Sequence, residues 1–163
     1  MKSILIVYKS KYGATKQIIN TVAKALEPGS VITPNMFGSE YFKYDSVLIA
    51  SGVYSESLHP DILAFMKKNQ KWLLKKRVGL LGVALGPERL NSYLISFKNQ
   101  LKGALLWIGT AHGRLRINSL SADDSSLLKS FSERLGMPFI DRDFMNQGEI
   151  QTIVEELQKF FSN

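Results

Sequence analysis

Apolar positions alternate along the chain between short unbroken runs and longer stretches spaced by three and four residues. Ser3-Ile4-Leu5-Ile6-Val7-Tyr8 is the first run, near-continuous as a strand buried on both faces should be. Ile18, Ile19, Val22, Ala23 and Leu26 then mark one face of a helix over Lys16–Glu27, which Pro28-Gly29 stops. Ser30–Thr33 is a short strand closed by Pro34, which completes a βαβ unit with an expected right-handed crossover. Met36–Tyr44 is ambiguous and reads as a short helical turn on the surface. Asp45–Ser51 is another buried strand, ending at Gly52.

Beyond the loop Val53–His59, Pro60 opens a helix with Ile62, Leu63, Phe65, Met66 and Leu73 on its apolar face. Its other face carries Lys67, Lys71 and Lys75, with Lys68 and Lys76 beside them, and reads as an ordinary solvated surface. Arg77–Leu85 is the most apolar strand candidate and is expected at the sheet centre, its glycines admitting close helix packing. After the Gly86-Pro87 turn, Leu90, Tyr93, Leu94, Phe97 and Leu101 mark a helix. Ala104–Gly109 is the last strand and opens into a polar loop, Thr110–Ser121, too long for a mere connector. Ser121 and Asp124 cap a helix whose face is Leu127, Leu128, Phe131 and Leu135, and Gly136-Met137-Pro138 breaks it. The final helix, from about Gln147, is expected to bury Ile150, Ile153, Val154, Leu157 and Phe160.

Strands and helices thus alternate five times, without repeats, linkers or low-complexity segments. The pattern predicts an α/β fold over residues 1–163, a three-layer doubly wound domain with a five-stranded parallel sheet in the order 2-1-3-4-5. Ligands in such sheets bind beyond the carboxyl ends of the strands, at the switch point between the first and third. The loops after Tyr8, Gly52, Leu85 and Gly109 gather there.

The 163 residues are 45% hydrophobic and 21% charged, an ordinary globular composition. No apolar run approaches the roughly 18 residues of a membrane span, and the N-terminus reads as a strand, so a cytoplasmic location is expected. The absence of cysteine excludes disulfides, thiolate nucleophiles and Cys-ligated metal, and leaves redox chemistry to a bound cofactor. A net charge of +7 points to an acidic counterpart, whether nucleic acid, an anionic membrane surface, an acidic redox partner or a carboxylate-bearing substrate. Composition does not choose among them.

The chemistry concentrates in Ser10-Lys11-Tyr12-Gly13-Ala14-Thr15, between the first strand and first helix. Gly13 permits a tight turn, and the hydroxyls of Ser10 and Thr15 join backbone N–H groups and a helix N-terminus in one anion cradle. The plain alternative is a turn and a helix cap. The loop has neither the Lys of GxxxxGK[ST] nor GxGxxG, which disfavours nucleoside triphosphate hydrolysis and leaves a mononucleotide phosphate, with the helix dipole as its only countercharge. In the loop after the third strand, Tyr54 can stack on a planar ring beside Ser51, Gly52 and Ser55, or merely cover the sheet end.

On these residues the sequence resembles the flavodoxin-like family, whose members bind FMN. Ser10–Thr15 looks like the family's phosphate loop, [ST]-x-T-G-x-T, with Tyr12 in place of the middle Thr and so with one hydroxyl position altered. Tyr12-Gly13-Ala14-Thr15-Lys16, Ser51-Gly52-Val53-Tyr54 leading to His59-Pro60, and Gly113-Arg114-Leu115 with Leu120-Ser121 resemble the branch that includes the menaquinone-dependent protoporphyrinogen oxidases. The resemblance implies that Ser10, Tyr12, Gly13, Ala14 and Thr15 hold the FMN phosphate. It implies that Ser51, Gly52, Val53, Tyr54 and Ser55 flank the isoalloxazine, and that Leu85, Gly86 and Thr110–Gly113, including His112, close its other side. Glu56 would disfavour an anionic reduced flavin if it faced the ring.

Under this reading the flavin carries the electrons and no nucleophile or metal is required. His112 either donates to a substrate or reduced flavin, or simply completes the hydrogen bonds of its loop. Arg114 or Arg116 can pair with a substrate carboxylate or an anionic lipid. An FMN-dependent oxidoreductase, passing electrons from a small-molecule substrate to a quinone, suits the basic balance and admits peripheral membrane contact. That branch's basic insertion between the last strand and helix reads as shortened here. A flavodoxin-type carrier serving an acidic redox protein is the alternative, although such carriers are usually acidic. A flavin-free receiver-like module lacks the acidic cluster it needs, and no nucleic-acid partner is expected.

Overall fold

The computed structural model describes residues 3–54, 57–87 and 90–163, apart from the side chains at positions 54, 91–93, 95 and 96. The expectations placed on Ser55, Glu56 and the side chains of Tyr54 and Tyr93 lie outside this set. In chain order the main elements are β1 (Ile4–Lys9), α1 (Ala14–Leu26), β2 (Ser30–Ile32), β3 (Ser46–Tyr54), β4 (Ser57–Leu58), α2 (Pro60–Lys68) and α3 (Gln70–Leu73). There follow β5 (Arg77–Ala84), α4 (Leu90–Gln100), β6 (Leu105–His112), β7 (Arg114–Leu115), α5 (Ala122–Arg134), β8 (Arg142–Asp143) and α6 (Gln147–Ser162).

Five strands pair in the order β2-β1-β3-β5-β6, and every neighbouring pair is parallel. Counted among themselves, these are the expected 2-1-3-4-5. The short β4 turns back antiparallel on β3, pairing Val53 with Leu58.

The alternation of side chains along each strand divides the interior into two cores. Leu5, Val7, Val47, Ile49, Val78 and Leu80 face one side and meet α2, α3 and α4 through Ile62, Phe65, Leu73, Leu94 and Phe97. Ile4, Ile6, Leu48, Ala50, Leu81 and Val83 face the other and meet α1 and α6 through Ile18, Ile19, Val22, Ile153 and Leu157. The glycines of β5 allow this approach from both sides. A Cβ at Gly79 would stand 3.0 Å from Leu48 Cδ1 and 3.4 Å from Phe161 Cζ, and one at Gly82 would stand 3.4 Å from Leu90 Cδ1.

Several expectations are corrected. The helix read over Pro60–Leu73 is two, because Asn69 caps α2 and its side-chain amide donates to the Phe65 carbonyl at 2.9 Å. The ambiguous Met36–Tyr44 stretch does hold a short helical turn, a 3-10 turn at Ser39–Tyr41, but it also forms an aromatic cluster that packs inward. In it, Phe37 stacks near Tyr41 and meets Phe65 edge-on at 5.0 Å, while Tyr44 is buried. In α6 the buried aromatic is Phe161; Phe160 instead lies beneath the Arg77 guanidinium.

The largest departure concerns the last strand. β6 continues to His112, and the supposed loop beyond it is built structure, with β7 pairing antiparallel to β8 and a 3-10 turn at Ile117–Ser119. The helix α5 between them starts as expected, its Ser121 side chain accepting the Asp124 N–H at 3.2 Å. Yet it buries no residue: Leu127, Phe131 and Leu135 remain 49%, 40% and 51% exposed. The apolar spacing of α5 therefore reports a face lying across the sheet's end rather than a share of the core.

Candidate functional site

At the carboxyl end of β1 the chain turns through Ser10–Gly13 into α1. Gly13 has φ +93, left-handed backbone that a side chain would strain, and its N–H donates to Ser10 Oγ at 3.0 Å. The Gly13 carbonyl accepts the Gln17 N–H at 3.0 Å, so the N–H groups of the intervening residues 14–16 have no acceptor one turn back within the helix. Glycine offers no capping side chain, and no acid stands in the first turn of α1. Thr15 is 1% exposed and, with Ala14 and Tyr12, lines a cavity. An uncapped helix start of this kind favours an anion.

The cavity, of about 120 Å³, spreads from this helix start across the ends of β3 and β5. Gly52 and Val53 form one side, Val83, Ala84 and Leu85 the floor, and Gly113, Arg114 and Leu115 the far wall. Gly113 reaches in closely, its N–H donating to the Ala84 carbonyl at 2.8 Å, and a Cβ there would stand 3.1 Å from Val83 Cγ1. From α5 and its approach, Leu120, Asp124, Leu127 and Leu128 close the top. The enclosure is largely aliphatic.

Charge gathers at one rim. Lys11 Nζ lies 2.5 Å from Asp124 Oδ2, the Tyr12 hydroxyl donates to the same carboxylate, and the Ser121 N–H donates to the Tyr12 oxygen at 3.2 Å. The hydrogen bonds from Lys11 and Tyr12 hold the Asp124 carboxyl below the usual carboxylate range, and the bond to Asp124 raises Lys11. These contacts tie the start of α5 to the β1–α1 loop. Arg114 Nη1 donates to Gln17 Oε1 at 2.7 Å, and its Nη2 is 3.7 Å from the point where a Gly13 Cβ would stand.

A family model described as "Flavodoxin domain" matches residues 5–131, from β1 through most of α5. The chain belongs to this flavodoxin-domain family. The chain is similar to the two-electron reduced flavodoxin of Megasphaera elsdenii at 23% identity, over 67% of this chain and 84% of that one, with TM-score 0.56. A flavoprotein from Lactobacillus acidophilus NCFM, solved in complex with FMN, is 18% identical over 81% and 99% of the two chains, with TM-score 0.53. The rubredoxin:oxygen oxidoreductase of Desulfovibrio gigas matches all of this chain with 38% of its own length, at 12% identity and TM-score 0.56. At these identities the structures share a fold. No curated protein matches the sequence.

Within this flavodoxin domain, Tyr12, Ala14, Thr15, Gly52, Val53, Leu85 and Gly113 meet at the cavity. Ser10 and Gly13 shape the loop beneath it. Ser51 is fully buried and is spent on the backbone, its hydroxyl donating to the Gly52 carbonyl at 2.7 Å and accepting the His59 N–H at 2.9 Å. Gly86 and Thr110 are not among the cavity's lining residues. His112 has a partner that spacing did not reveal. Its ring Nδ1 lies 2.9 Å from Glu149 Oε1, and the backbone N–H of His112 donates to Glu149 Oε2 at 3.0 Å. A carboxylate only accepts, so Nδ1 carries the hydrogen. His112 lies with Glu149, Phe144 and Asn146 in a separate open depression.

His59 caps α2, its Nδ1 accepting the Asp61 N–H at 3.1 Å. The Asp61 carboxylate stands farther, at 3.8 Å, and would favour the opposite, charged form. Burial is the larger influence and lowers the His59 pKa, in keeping with a neutral ring that accepts.

Sequence reasoning missed Val83, Ala84, Leu115, Leu120, Asp124, Leu127 and Leu128 as site residues, and weighed Arg114 only toward a substrate carboxylate or an anionic lipid. Val83 and Ala84 sit inside a strand read as core, and the leucines of α5 follow a helical period identical to that of a core helix. The signal that α5 belongs to the site is its place, between the last strand of the parallel sheet and the final helix, where among the described residues no further strand of that sheet follows for it to cover.

Proposed function

We propose that this flavodoxin domain binds FMN at the end of its sheet and transfers electrons through it as an oxidoreductase. The observation that carries the reading is the uncapped, acid-free start of α1 with left-handed Gly13, opening onto an aliphatic slot at the switch between β1 and β3. The donor set fits the group. Backbone N–H groups and the Thr15 hydroxyl suit a phosphate, and Gly52, Val53, Leu85 and Leu115 offer apolar surface to a flat ring. FMN in the Lactobacillus acidophilus flavoprotein supports the assignment by similarity of fold, and the match of this chain to the flavodoxin-domain family agrees with it.

When bound, the flavin supplies one- and two-electron transfer chemistry. The chain's part is to seat and shield it. The α1 start and Thr15 hold the phosphate end, the close-packed Gly113 fixes the wall beside β5, and Leu127 and Leu128 keep water from the ring's side of the slot. The cavity wall contributed by residues 113–128 supports a small-molecule substrate with a quinone acceptor, as in the protoporphyrinogen-oxidase branch, although that branch's basic insertion is shortened here. A carrier between redox proteins is the second reading, favoured by the flavodoxins among the similar structures.

Purified protein reconstituted with FMN is expected to show flavin absorbance after gel filtration. A protein that stays colourless with added FMN removes both readings. Anaerobic reduction followed by mixing with a menaquinone analogue, protoporphyrinogen or an acidic ferredoxin separates them: turnover with the small molecules supports the oxidoreductase, and exchange with the ferredoxin alone supports the carrier.

A further inference from the structure

The phosphate loop contributes no arginine of its own, yet an arginine from a distant part of the chain stands over it. Arg114 leaves β7, and its Nη1 is anchored by Gln17 Oε1 at 2.7 Å, one turn into α1. Its other terminal nitrogen, Nη2, lies 3.7 Å from where a Gly13 Cβ would be. Gln17 is neutral and its own N–H is bonded to the Gly13 carbonyl, so the anchor orients the guanidinium without neutralising it. Among the described residues Arg114 forms no salt bridge to a carboxylate, whereas Lys11 and Lys9 do, to Asp124 and Asp61. Arg114 also lines the cavity together with Thr15 and Ala14. A directed, uncompensated guanidinium above an uncapped helix start is built for an anion with several oxygens.

We infer that Arg114 is a phosphate-binding residue that the family's loop motif does not contain, supplying to the flavin phosphate the countercharge that the loop lacks. The inference rests on the flavin reading above and assigns Arg114 to the cofactor rather than to a substrate carboxylate. Gln17 is its positioning residue. With Arg114 in place the site discriminates between FMN and riboflavin, which share the ring and differ in the phosphate.

The test is the dissociation constant of each flavin, measured by fluorescence quenching for the wild-type protein, Arg114→Met and Gln17→Ala. Arg114→Met is expected to weaken FMN by roughly tenfold to a hundredfold, as loss of a charge-assisted bond does, and to leave riboflavin unchanged. It should also flatten the salt dependence of FMN binding. Gln17→Ala should weaken FMN less and riboflavin not at all, and Arg114→Lys should restore part of the loss. Unchanged riboflavin affinity shows at the same time that the variants are folded. If Arg114→Met binds FMN like wild type, or loses both flavins by the same factor, the assignment is wrong while the flavin reading stands. A wild-type protein that binds neither flavin overturns both.

Discussion

Single residues decide the site's geometry. Gly13 holds φ +93, where any Cβ costs about 1–2 kcal/mol. Gly13→Ala should therefore lower the unfolding free energy read from urea denaturation by that amount, moving the midpoint down, and weaken FMN as the loop relaxes; an unchanged midpoint would show that the turn tolerates a side chain. His59 predicts a pH dependence. Its folded pKa is lowered by burial, so the unfolded chain takes up a proton at a pH where the folded chain still refuses it. Stability is complete above the ordinary histidine range and declines as pH falls through it. Urea midpoints measured from about pH 8 to about pH 5 should fall more for wild type than for His59→Asn, whose amide still caps α2 but does not titrate. Equal slopes would contradict the neutral, accepting ring. The Gly13 turn was legible in the sequence, but the cap was not, because His59 was read only as the residue before Pro60.

At the scale of elements, α6 and α5 make an instructive pair. Both are amphipathic by spacing, but α6 buries five residues, Ile150, Ile153, Val154, Leu157 and Phe161, each contributing about 1.5–3 kcal/mol, and α5 buries none. What holds α5 in place is its contact with the β1–α1 loop, through Lys11 and Tyr12 on Asp124. Hydrogen exchange should then be faster in α5 than in α6, and Asp124→Asn or Tyr12→Phe should accelerate it in α5 while leaving the sheet protected. Because the Asp124 carboxyl is held below its usual range, this tie persists through neutral and mildly acidic pH and is lost as pH falls through that lowered value. Uniform exchange across both helices in the variants would rule the tie out. In β5, Gly79 leaves room for Leu157 and Phe161, and Gly79→Val should cost about 1–3 kcal/mol by overpacking, read from thermal or urea denaturation.

For the molecule as a whole, the net charge of +7 favours encounter with acidic counterparts. Reduced protein mixed with an acidic redox protein should react more slowly as ionic strength rises past about 0.1 M, where screening reaches about 10 Å, and a rate indifferent to salt would show that charge does not steer the encounter. Among the described residues no helix is long and apolar enough to cross a membrane. The alternation of buried runs and amphipathic stretches sufficed to determine the parallel sheet, its 2-1-3-4-5 order and the loop at its switch point, because burial on both faces and right-handed crossovers leave few other topologies. Sequence likewise sufficed to locate the anion-binding helix start, a local property of Gly13 and the residues around it. Only the tertiary structure decided which distant groups reach that point. Arg114, on β7, and Asp124 and the leucines of α5 arrive from about a hundred residues away, the last of them on a helix whose periodicity is the same whether it faces a core or a cavity. Spacing along a chain reports which face of an element is apolar; what that face meets is settled by packing.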